Sequence, residues 1–230
     1  MKKYLKNFRP AILFLCLFIL FTLLVLVVDV QETGVNGTKL GFSGLNHALM
    51  TRYNGVFYVF SEFFGILSLI LAAGFAVIGV IQLIKRKSLL KVDHRILVLG
   101  AVYVLMLILY LVFDHIPINY RPVLNGEEME ISYPSSHTML ALTVFLTALT
   151  YVKRAIKDES LSKKISIVLF ALIGLSILTR YFSGVHWFTD IIGAVLLALA
   201  LSELYGGGIK TVSQIKKAKR KAAEAENEQP

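Results

Sequence analysis

Long apolar stretches alternate with short polar ones along this chain. The apolar stretches run over about 11–28, 56–84, 96–113, 136–152, 165–179 and 187–204. An 18-residue helix rises roughly 27 Å, close to the hydrocarbon thickness of a bilayer. The pattern therefore predicts an all-α protein, an integral membrane bundle of six transmembrane helices. The first and third stretches are the clearest, the fourth and fifth are short, and the sixth carries Asp190 near its start. A hydrophobic share of 56% over 230 residues agrees with the membrane class. The bundle is expected to occupy 1–208, leaving 209–230 as a basic and then acidic tail, disordered in the cytoplasm. The one cysteine, Cys16, lies in the first stretch, so no intrachain disulfide can form.

Charge gives the bundle a direction. Six spans place both termini on one side, together with the 85–95 and 153–164 loops. That side holds 20 of the 24 Lys and Arg residues. Only Lys39, Arg52, Arg121 and Arg180 fall on the other. The positive-inside rule then puts both termini in the cytoplasm. Lys2, Lys3, Lys6 and Arg9 before the first stretch also fit a secretory signal. However, the stretch is long for one and Val28-Asp29-Val30 makes a poor cleavage site, which favours a retained anchor. The formal charge of +9 is accounted for by this asymmetry. No aromatic or groove-reading pattern accompanies it, and nucleic acid is not an expected partner. The cluster from Lys216 to Lys221 reads as an orienting tail, with anionic lipid heads as the alternative partner.

Three segments face outward: 29–55, 114–135 and 180–186. The first is rich in glycine, which serves turns here because no strand precedes it and no phosphate-loop helix follows. Its Asn36-Gly37-Thr38 matches a glycosylation acceptor. His47 and His94 read as structural, and Trp187 with Tyr181, Phe182 and Phe188 as an interfacial belt. Glu62 lies roughly 9 Å along the second span from its outer end. It either lines the way in for substrate or pairs between helices.

The other two outward segments carry the chemistry. Asn119-Tyr120-Arg121-Pro122 precedes Tyr133-Pro134-Ser135-Ser136-His137-Thr138, and the run from Thr179 to Asp190 joins the fifth and sixth spans. Arg121 and Arg180 offer planar donor forks that match phosphate oxygens. Ser135 and Ser136 stand where a helix begins after Pro134, so free amides and the positive dipole end face any anion there. His186 and Asp190 are four apart on one helix face. Asp190 can fix the imidazole tautomer and leave the other nitrogen as a nucleophile. His137 is placed to act as a general acid. Each fragment alone has an ordinary structural reading, such as a helix start or a local pair. Ionisable groups gathered at one membrane face default to function.

These residues resemble the three-part signature of the type 2 phosphatidic acid phosphatase family, which includes undecaprenyl-pyrophosphate phosphatases and vanadium haloperoxidases. The signature reads Lys-x6-Arg-Pro, Pro-Ser-Gly-His and Ser-Arg-x5-His-x3-Asp. The third part matches from Arg180 through His186 to Asp190, with Thr179 for Ser. The second matches as Pro134-Ser135-Ser136-His137, with Ser136 for Gly, and the first only at Arg121-Pro122. The resemblance implies a membrane lipid phosphatase acting on a phosphomonoester or pyrophosphate at the outer face. By that resemblance His186 attacks phosphorus, assisted by Asp190, and forms a phosphohistidine. His137 protonates the leaving oxygen, while Arg121, Arg180, Ser135 and Ser136 hold the phosphoryl oxygens. No metal or other cofactor is implied.

The chain leaves the pattern at Asp114, which stands where the signature has lysine. An anion for a cation near a phosphate site is costly. Three readings follow: Lys39 or Arg52 takes the role, Asp114 turns away and pairs with Arg121, or activity is altered. The pairing is preferred. A non-catalytic binder or transporter of lipid phosphates on the same scaffold is the main rival. A metallohydrolase built on His115, His137, His186 and Asp190 has little support from spacing.

Overall fold

The computed structural model describes residues 2–124 and 126–227, and is helical throughout apart from turns and two isolated bridges. A short α1 (Lys2–Leu5) leads through a 3-10 turn into α2 (Arg9–Val27), which Pro10 opens. The outward segment carries α3 (Ser43–Ala48). Then come α4 (Gly55–Arg86), α5 (His94–Phe113), α6 (Ser136–Ala155), α7 (Glu159–Phe182) and α8 (Phe188–Asn227). Side-chain oxygens cap the starts of four of them: Asn54 before α4, Asp93 before α5, Ser135 before α6 and Asp158 before α7. Each meets amides that the first turn would leave unpaired.

Among the described residues five helices are long and apolar enough to cross a membrane: Lys3–Val27, Gly55–Arg86, His94–Phe113, Glu159–Phe182 and Phe188–Glu224. The remaining long helix, α6, is the inner one, packed against α4, α7 and α8. Val144 and Phe145 are fully enclosed. Its threonines Thr143 and Thr147 bond back to Met139 and Thr143 carbonyls at 2.7 Å, and Tyr103 of α5 reaches Thr147 at 3.1 Å. A helix covered by protein needs no lipid-matching face, so its lower hydropathy follows from its position.

α7 and α8 extend past the apolar stretches 165–179 and 187–204, because polar residues continue a helix beyond the hydrocarbon without registering as hydropathy. The helical part of α8 runs through the basic segment to Asn227, and the last three residues of the tail lie outside the described residues. The Asn7 side chain donates to Thr211 and Gln214 at 2.9 Å each, seating the start of the chain beside the far half of α8.

At the opposite end the 29–55 segment is stitched over the α7–α8 junction. Thr51 donates to the Tyr181 carbonyl at 2.8 Å, Tyr181 donates to Leu49 at 2.6 Å, and the Asn54 amide reaches Ser183 at 3.0 Å. Gly184, at φ +72°, permits this closeness, since a Cβ there would lie 2.6 Å from the Arg52 backbone. Asn46 completes the seam by pairing with Thr189 through both its amide atoms.

Candidate active site

Four helices and one loop converge beneath that seam. Arg180, in the last turn of α7, is 1% exposed. Its Nη1 donates to Glu62 Oε1 at 3.0 Å and to Ser61 Oγ at 3.2 Å, both on α4. Its Nη2 lies 3.1 Å from His186 Nε2 and 3.4 Å from His137 Nδ1. One guanidinium nitrogen thus sits between the two histidines. His137, in the first turn of α6, turns its Nε2 to Glu62 Oε2 at 3.0 Å.

His186 occupies the turn between α7 and α8, with Asp190 behind it at 3.5 Å from Nδ1 to Oδ2. Asp190 is fully enclosed. Oδ1 accepts from the Asn119 side chain at 3.1 Å, and Oδ2 accepts from the Trp187 amide at 3.0 Å. The second bond makes Asp190 a cap of its own helix, so it sets the loop that carries His186 as well as facing the ring. Burial pushes the His186 imidazole well below its ordinary value. The Arg180, Arg121 and His137 charges push the same way, against a smaller opposing pull from the Ser132 backbone. His186 is therefore neutral at neutral pH, the form a nucleophile requires.

Arg121, His137 and Arg180 line one cavity of about 590 Å³ with Glu62, Glu130 and Tyr58. Arg121 is paired, but with Glu130 across the turn at 3.0 Å rather than with Asp114. The preferred pairing of Asp114 with Arg121 is thus replaced. The Tyr120–Ile131 bridge folds the loop back so that Glu130 faces Arg121, whose amide bonds the Glu130 carbonyl at 2.9 Å. Asp114 ends α5 and lines a small crevice with Ser136 and His186. Lys39 and Arg52 are exposed, and neither belongs to the cavity lining. The Nε donors of Arg121 and Arg180 are buried with no partner among the described residues.

The two serines differ. Ser135 is enclosed, its amide bonded to the Asp190 carbonyl at 3.1 Å and its hydroxyl to Thr138 at 3.0 Å. Ser136 lines an apolar groove of about 250 Å³ with Gly65, Ile66, Leu69 and Leu140, which meets the polar cavity at Glu62 and His137.

Sequence reasoning flagged Glu62 without placing it in the site and missed Glu130 and Asn119. Asn119 was findable, because extended backbone sends alternate side chains to one face and Asn119 is two before Arg121. Trp187, expected in an interfacial belt, is buried, and its indole donates to the Tyr120 carbonyl at 2.7 Å. His94 holds α5 to α8 through Ser213 at 3.0 Å.

The fold and this site define an all-helical membrane protein with a polar cavity in which two arginines face two glutamates and His137, and His186 lies behind Arg180. Residues 112–205 match the model of the PAP2 superfamily. The fold is similar to the crystal structure of a transmembrane PAP2-type phosphatidylglycerolphosphate phosphatase from Bacillus subtilis. The TM-score is 0.55 at 21% identity, over 89% of this chain and 96% of that one. No curated protein sequence matches. The likeness to the type 2 phosphatidic acid phosphatase family thus rests on residues 112–205, the segment that carries Arg121, His137, Arg180, His186 and Asp190.

Proposed function

We propose that this protein is a lipid phosphatase that removes phosphate from a phosphomonoester or pyrophosphate of a membrane lipid, working through a phosphohistidine at His186. The observation that carries this reading is Arg180 Nη2 standing between His186 Nε2 and His137 Nδ1, with Asp190 on the far side of His186. Phosphoryl oxygens drawn to Arg121 and Arg180 bring phosphorus up to Nε2. The Nε2–P bond forms as the bond to the lipid oxygen breaks, and protonated His137 gives that oxygen its proton. Neutral His137 then takes a proton from water, whose oxygen attacks phosphorus, frees inorganic phosphate and restores His186. The apolar groove that meets the cavity at His137 supports a lipid leaving group, since it would place the tail beside the proton donor.

The 20-to-4 distribution of basic residues supports six crossings with the site facing outward. Asp114 favours the second reading, a non-catalytic binder on the same scaffold, because it leaves the position of the signature lysine anionic.

The deciding experiment is phosphate release by the purified protein from phosphatidate, phosphatidylglycerophosphate and undecaprenyl pyrophosphate. Release from at least one, lost in His186→Ala, is expected. Binding without release would favour the second reading.

A further inference from the structure

Glu62 occupies the place that a phosphate needs. Its two carboxylate oxygens each lie 3.0 Å from a nitrogen, Oε1 from Arg180 Nη1 and Oε2 from His137 Nε2. This is the way two oxygens of a phosphate would bridge the same pair. It is also the junction residue, lining both the polar cavity and the apolar groove. Its side chain is about one-third exposed, whereas that of Arg180 is 2% exposed. The carboxylate can therefore leave, and the guanidinium cannot. Meanwhile Arg180 Nη2 lies on His186 Nε2 at 3.1 Å and engages the lone pair that would attack.

We propose that Glu62 is a displaceable internal counter-ion, which neutralises Arg180 and His137 in the empty site and must yield its place to the substrate phosphate. The inference rests on the phosphatase reading for its physiological meaning, but it concerns binding alone. A buried guanidinium without a partner is costly, and a carboxylate on a neighbouring helix relieves that cost until an anion arrives. Phosphate entering must break two charge-assisted contacts, so Glu62 weakens phosphate binding. In a turning-over enzyme the same contacts re-form as inorganic phosphate leaves, which favours release of product. Glu62 is then a positioning residue that sets affinity for the phosphoryl group and makes no bond to phosphorus. A purely structural strut predicts the opposite sign: removing its charge would loosen Arg180 and weaken phosphate binding.

The test is calorimetric titration of inorganic phosphate into the full-length protein in detergent micelles, comparing wild type with Glu62→Gln. The glutamine keeps the size and an oxygen acceptor while removing the charge. The Kd for phosphate is expected to fall roughly tenfold, the scale of one unit charge at a partly screened distance. An unchanged or raised Kd overturns the proposal. If thermal unfolding shows Glu62→Gln to be misfolded, Glu62→Asp serves instead. It keeps the charge but withdraws it by about one methylene, so a smaller fall in Kd is expected and an equal or higher Kd again overturns it. The titration needs no turnover. Tighter phosphate binding in a protein that hydrolyses nothing would leave this inference standing while the phosphatase reading fell. Hydrolysis with unaltered binding would do the reverse.

Discussion

The inner helices α6 and α8 and the peripheral helices α2 and α5 are built by different rules. Along α2 and α5 most outward positions are aliphatic, with Leu13, Leu20, Leu23, Val104, Leu107 and Leu111 all exposed. Their composition is set by lipid, and nearly any apolar side chain would serve. Along α6 and α8 the buried positions include Thr138, Thr143, Thr147, Thr189 and Asp190, each with a particular partner. Polar groups inside a bundle are tolerated only where neighbours satisfy them, and those neighbours then fix the geometry of the site. The periphery keeps the protein in the membrane, and the interior holds two histidines and an arginine in register.

The sharpest way to break the comparison is to replace the inner reactive groups. His186→Ala should abolish turnover, while His137→Ala should slow kcat about 10²–10⁴-fold, the usual scale for a positioned general acid. Next in size is Asn119→Ala, which deprives Asp190 Oδ1 of its 3.1 Å donor. A charge-assisted bond lost at a buried carboxylate should lower kcat about tenfold or more with little change in KM. A smaller and opposite effect is expected at Asp114. Because Arg121 is held by Glu130, Asp114→Lys removes no partner of Arg121 and adds a cation near His186. It should raise kcat/KM a few-fold, and a fall would show that Asp114 supports the site. The smallest effect belongs to the periphery, where Leu107→Ala on α5 should leave kcat/KM within about twofold. A loss there comparable to Asn119→Ala would erase the distinction between the two regions.

The same distinction explains what the sequence revealed. Hydropathy found α2 and α5 readily, since lipid imposes a continuous apolar run. It gave α6 its correct start but as a shorter and weaker stretch, 136–152 against Ser136–Ala155, because that helix answers to protein neighbours. Where hydropathy weakened, side-chain chemistry took over. The spacing of Arg180, His186 and Asp190 and the run Pro134-Ser135-Ser136-His137 marked the inner site. Contacts between segments far apart in sequence left no such mark. Glu62 meets Arg180 across 118 positions, so neither local spacing nor composition announces the pair. The Arg121–Glu130 pair depended on a loop whose fold-back no helical period encodes.

The central claim is that His186 Nε2 carries the phosphoryl group. Its direct measurement is acid-free quenching of the His137→Ala variant during turnover of a lipid labelled with radioactive phosphorus, followed by peptide mapping under alkaline conditions that preserve phosphohistidine. Because His137 serves both steps, its loss slows formation and hydrolysis of the intermediate alike, and label that does form should persist on the peptide bearing His186, with none in the His137→Ala/His186→Ala double variant. Label on another residue, or undiminished phosphate release by His186→Ala alone, would contradict the account.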